Sequence, residues 1–156
     1  MNIVSAEQDN IDMMLTQMGA KVKSIHGLVC FVRFDINGTE IFYVYNINAK
    51  DQYYLQKVLP YPVGAGVFTK PCEIVDYIKK DITLYKTAVK SSLFNSFTKV
   101  NLELHQIIHK MEETFMNYNV SDDMMTNVWK QLEQLNKTMD EIQHTSEKVV
   151  HDDLKK

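Results

Sequence analysis

Residues 28–47 read LVCFVRFDINGTEIFYVYNI. Two runs rich in β-branched and aromatic residues, Leu28 to Asp35 and Glu40 to Ile47, flank Ile36-Asn37-Gly38-Thr39. Asn and Gly accept the positive φ of a type I′ turn, whose twist matches that of two antiparallel strands. That turn sets a register in which Phe34 faces Ile41, Val32 faces Tyr43 and Cys30 faces Tyr45, so one face of the hairpin is wholly apolar. On the other face Asp35 meets Glu40, Arg33 meets Phe42 and Phe31 meets Val44. The first face is core; the second is solvated near the turn and partly covered further away.

Upstream, Ser5 and Gln8 form a capping box for a helix over about residues 6–18. Ile11, Met14, Leu15 and Met18 share one stripe of it, and Gly19 is a natural terminator. Lys21 to Ile25 alternates weakly, with His26-Gly27 as a turn before the hairpin.

Downstream, Gln52 to Leu59 suits either a strand or a helical turn. Its shortness and aromatic content favour a strand, with Lys57 out of place on the apolar side. An antiparallel meander of three or four strands follows. Pro60-Tyr61-Pro62-Val63-Gly64-Ala65-Gly66 reads as the loop between the two halves of the chain. Thr69 is placed to cap the next helix, with Pro71 in its first turn and a buried stripe of Ile74, Val75, Ile78, Ile82, Tyr85 and Val89.

After a break at Ser91-Ser92, Phe94 to Val150 reads as two long amphipathic helices in an antiparallel hairpin. The first covers about residues 93–117, the turn is Asn117 to Val120, and Ser121 caps the second ahead of Asp122 and Asp123. Met125, Val128, Leu132, Leu135, Met139, Ile142, Ser146 and Val149 keep a heptad through the last helix, which is expected to reach Val150. Phe94, Ile108, Phe115 and Trp129 widen the stripe beyond a two-helix seam. The fold class is therefore α+β: an N-terminal helix, a three- to four-stranded antiparallel meander and three helices. One domain spans residues 1–156, with helix and sheet in 1–66, a helical half in 69–150 and a frayed tail at 151–156.

Charge narrows the functional classes. The chain of 156 residues is 45% apolar and 24% charged, with a formal net charge of −3. Residues 1–90 hold 10 Lys+Arg and 9 Asp+Glu, a net of +1, whereas residues 91–156 hold 7 Lys and 11 Asp+Glu, a net of −4. An acidic helical half is poorly suited to nucleic acid or to an anionic membrane surface. The first residues lack a basic and apolar leader, so a cytoplasmic protein is expected. Sixteen Lys against a single Arg fits AT-rich coding, as in a low-GC bacterium or its phage. Cys30 and Cys72 are too few for a disulfide framework and read as small buried fillers.

No catalytic motif emerges, and no cofactor is expected. The Walker spacing is missing around Gly64-Ala65-Gly66, and no nucleophile elbow is present. His105 and His109 are four apart on a helix with Glu112 beyond, a spacing metal sites use, but the other histidines do not converge on them. The reading favoured by the residues is a non-catalytic interaction or regulatory module, a homodimer or a binder of a protein partner, with an interface at Phe94, Trp129, Leu132, Met139 and Ile142. The alternative is a small-ligand sensor with a pocket on the sheet drawn from Arg33, Tyr43, Tyr45, Tyr53 and Tyr54. A metal-binding protein using His105 and His109 ranks below both.

Overall fold

In the computed structural model, which describes residues 13–22, 27–48, 50 and 52–150, the Asn37-Gly38 turn is formed with φ of 52° and 81° at its two central residues. Asp35 reinforces it by accepting a hydrogen bond from the Gly38 backbone N–H at 3.0 Å. The turn joins β1 (Val29–Ile36) to β2 (Thr39–Ile47). Their register pairs Phe34 with Ile41, Val32 with Tyr43 and Cys30 with Tyr45, as the turn chemistry requires. β3 (Tyr53–Leu59) and β4 (Val63–Phe68) complete a four-stranded antiparallel meander in the order β1-β2-β3-β4.

β4 corrects the sequence reading, which placed a loop through residue 66. The turn is confined to residues 60–62, and the Leu59–Pro60 peptide is cis. Gly64 and Gly66 are tolerated because this strand lies at the sheet edge, where the glycines face a bulge between Leu55 and Gln56 of β3. The ambiguous segment before it is a strand. Lys21 and Val22 lie outside any strand, and residues 23–26 are not among those described.

The helices are α1 (Pro71–Ala88), α2 (Phe94–Asn117) and α3 (Asp122–Thr145). At the start of α1, Lys70 rather than Thr69 is the cap residue. The Glu73 carboxylate reaches back to accept from the backbone N–H of Thr69 at 2.9 Å and of Lys70 at 3.0 Å. These two bonds hold its carboxyl below the usual range. Ser121 caps α3, its hydroxyl accepting from the Met124 N–H. α3 stops at Thr145 rather than Val150: Ser146 is extended, so Ser146 and Val149 drop out of the heptad. Of the N-terminal helix, residues 13–17 are helical and Gly19 has φ +92°; residues 6–12 lie outside the described part.

α1 lies on the inner face of the sheet, closest to β3 and β4. Ile36, Ile41, Tyr43 and Leu55 from the strands meet Ile74, Ile78, Ile82 and Tyr85 from α1, and Phe94 closes the end of this core. Ile41, Tyr43 and Leu55 are fully buried. Each such side chain removed from water contributes about 1.5–3 kcal/mol.

Lys57 explains its own misfit. It points into this core, where its ammonium donates to Asp81 of α1 at 2.7 Å. The Tyr43 hydroxyl donates to the same carboxylate oxygen at 2.6 Å. The Lys57 ammonium also sits 4.7 Å from the Tyr85 ring centroid and 5.6 Å from that of Tyr61. Burial, then the hydrogen bond to Asp81, pushes the Tyr43 hydroxyl far above its ordinary pKa; burial does the same to Tyr85. Cys30 is half-buried, but Cys72 is exposed in the first turn of α1, against its expected role as a filler.

Candidate protein-interaction surface

The spacing that makes α2 and α3 amphipathic puts Phe97, Val100, Leu104, Ile107 and Met111 on one stripe and Met125, Val128, Leu132, Leu135, Met139 and Ile142 on the other. α2 is docked at its N-terminal end, where Thr98 in the second turn is also half-buried. Phe94 is buried edge-on against Tyr85, with centroids 6.2 Å apart, and Phe97 meets Tyr61 at 5.5 Å. Beyond that turn both stripes are exposed. Ile108 is 57% accessible, Phe115 62% and Trp129 64%, and no residue of α3 is buried. The hairpin connection is present at residues 118–121, but the two backbones do not close into a packed seam.

Near the connection the stripes converge on a cleft of about 550 Å³, almost entirely apolar, between Ile107, Met111 and Phe115 on one side and Met124, Met125 and Val128 on the other. The Trp129 indole N–H donates to Glu133 at 3.0 Å, which holds the ring along the outside of α3. Packed helices approach to about 8–10 Å and bury their stripes. These stripes reach no such partner among the described residues.

Of the interface residues read from the sequence, Trp129, Leu132, Met139 and Ile142 are exposed on α3. Phe94 is not: it belongs to the core, because it is the residue that fastens α2 to α1. Phe115, Met124 and Met125 belong beside the others, since they wall the cleft.

The tyrosine pocket is dispersed. Tyr43 is sealed in the core, and Arg33 and Tyr54 lie on the outer face, because side chains alternate along a strand. Arg33 instead pairs with Glu40 at 2.6 Å and stacks 4.2 Å above the Phe42 ring. Only Tyr45 and Tyr53 border an actual cavity, an open groove of about 710 Å³ on the inner face. α1 covers β3 and β4 and leaves this trough beside Val32 and Phe34 of β1, with Lys79 and Lys86 along its rim. Sequence reading missed it; the apolar face of β1, which needs a cover, was the available signal.

His105 and His109 stack edge to face with centroids 5.2 Å apart. Among the described residues no three His, Cys, Asp or Glu side chains are grouped to hold a metal ion. No helix among them is long and apolar enough to cross a membrane. The chain matches no family model, no curated protein and no solved structure.

Proposed function

We propose that the chain is a self-associating interaction module in which the α2–α3 stripes of one copy cover those of a second. The observation that carries this reading is the exposure of apolar stripes along two helices of 24 residues each. Exposed apolar patches on monomers rarely exceed about 300–600 Å². Each of these helices is about 36 Å long.

Energetics favour covering these faces. Removing about 1,000 Å² of apolar surface from water is worth roughly 25 kcal/mol. Lost rigid-body freedom costs about 4–15 kcal/mol. A stripe wider than two helices fits a four-helix arrangement, and the net acidity of this half argues against a nucleic-acid partner.

Sedimentation equilibrium tests the proposal. The expected mass is twice the 18.2 kDa chain, collapsing to a single chain in the double variant Leu132→Asp with Met139→Asp. Both positions are exposed, so the variant retains the far-ultraviolet spectrum of the sheet and helices. A monomeric wild type at tens of micromolar, unfolding cooperatively, refutes the reading.

A further inference from the structure

The groove beside α1 shares no residue with the α2–α3 stripes. Val32, Phe34 and Tyr45 of the sheet and Ile78 and Ile82 of α1 give it an apolar floor. Phe34 is 37% exposed although its strand neighbour Ile41 is sealed. Val75, expected in the buried stripe of α1, is 63% exposed, because it flanks the groove instead. Val75, Lys79, Thr83 and Lys86 follow one another at spacings of four, four and three, so one row of α1 forms the wall.

That wall sets two cations beside uncovered apolar surface. Among the described residues the Lys79 and Lys86 ammoniums have no carboxylate within ion-pair distance, and no Asp or Glu lines the groove. Lys57 and Arg33, which also lie against apolar groups, are paired with Asp81 and Glu40. We propose that the groove binds a single-chain anionic amphiphile of the long-chain fatty acid class. Its carboxylate sits between Lys79 and Lys86, and its acyl chain runs past Val75 and Ile74 towards Pro71, over the apolar face of β1 and β2.

Size and charge select this occupant. A cavity of about 710 Å³ falls within the roughly 300–1,000 Å³ of small-molecule sites. A three-turn helix, about 10 Å across and 16 Å long, fills roughly 1,300 Å³ and would stand out of the groove. From Thr83 back to Pro71, α1 rises about 18 Å, the reach of a long acyl chain. Two ammoniums hold one carboxylate at the rim, where it stays partly hydrated while the chain leaves water. They are too few for an anionic membrane surface, which takes clusters of about 4–8 basic residues.

Calorimetric titration of the full chain with hexadecanoate, kept below its micelle-forming concentration, tests the proposal. One molecule is expected per chain. Across shorter homologues the affinity rises about fourfold per methylene and levels off once the groove is full. Lys79→Glu with Lys86→Glu, both at exposed positions and therefore compatible with the fold, weakens binding roughly tenfold or more. Lys110→Glu, beside the α2–α3 cleft, leaves it unchanged. A diazirine-bearing hexadecanoic acid crosslinks to peptides holding residues 32–34 or 74–86. The proposal is overturned by an absence of saturable binding, by equal binding of hexadecylamine, by an unaltered affinity in the double lysine variant, or by crosslinks confined to α2 and α3. Should hexadecanoate stay unbound while phosphatidylglycerol vesicles or an acidic amphipathic helix protect the groove, the lysines serve that partner and the proposal fails.

Discussion

Replacing Asp81 with Asn strips Lys57 of its counter-ion while leaving an amide oxygen to accept from Tyr43. At 2.7 Å the gross attraction within the pair is about 6 kcal/mol at an effective dielectric of 20. Desolvation offsets much of it, and the net cost of orphaning a buried charge is about 3–5 kcal/mol. The Lys57 side chain is only 7% accessible, so water cannot replace the carboxylate. The rings of Tyr85 and Tyr61 retain some attraction for the ammonium, about 0.5–2 kcal/mol, which places Asp81→Asn near 3 kcal/mol. Lys57→Met costs less, since Asp81 is 17% accessible and keeps the Tyr43 hydrogen bond. The double variant Lys57→Met with Asp81→Leu removes both charges and leaves one orphan, the Tyr43 hydroxyl, at about 1–3 kcal/mol. Urea unfolding at one fixed protein concentration reads all three, because self-association raises apparent stability. The order expected is wild type, then the double variant, then Asp81→Asn. If Asp81→Asn lies within about 0.5 kcal/mol of wild type, or the double variant loses as much as Asp81→Asn or more, the pair is not a buried, coupled unit.

Two further outcomes follow from charge. Tyr43 and Tyr85 hold their protons in the fold far above the ordinary value near 10, so the folded state binds more protons than the unfolded one at higher pH. Their contribution to stability is complete below about pH 10 and is lost as pH rises beyond it. Absorbance at 295 nm against circular dichroism should show at least two of the eight tyrosines ionising only as the chain unfolds; eight freely titrating tyrosines in a native fold would contradict this. Separately, α2 carries a net charge of −1 and α3 of −3, so net charge opposes the pairing of two copies unless ion pairs form across the interface. Raising salt from about 50 to 500 mM shortens the screening length to a few ångströms and should tighten the dimer; weakening would mean that attractive ion pairs hold it.

Local chemistry made some of this legible from residues alone. Asn37-Gly38 dictates one turn type, one register and hence the apolar inner face of β1 and β2. Ser121 likewise places the start of α3, whereas the heptad runs on past its end at Thr145. What escaped depended on distant partners. Lys57 looked wrong for a strand because its acceptor, Asp81, lies 24 residues away on another element. β4 was hidden because its glycines and neighbouring prolines carry loop chemistry, and only pairing with β3 makes it a strand. The tyrosines cluster in the sequence, yet Tyr53 and Tyr54 are successive strand residues and must face opposite ways. Phe94 sits in the α2 stripe but serves the core, a choice set by where Tyr85 stands.

The aromatic fastening of Phe94 on Tyr85 and Phe97 on Tyr61 has a mechanical consequence. It is a single pivot at one end of a rod about 36 Å long. Any change in angle at that contact would be multiplied along the length of α2. In the proposed dimer, two chains joined along α2 and α3 would hold their sheets at a separation set by this aromatic contact.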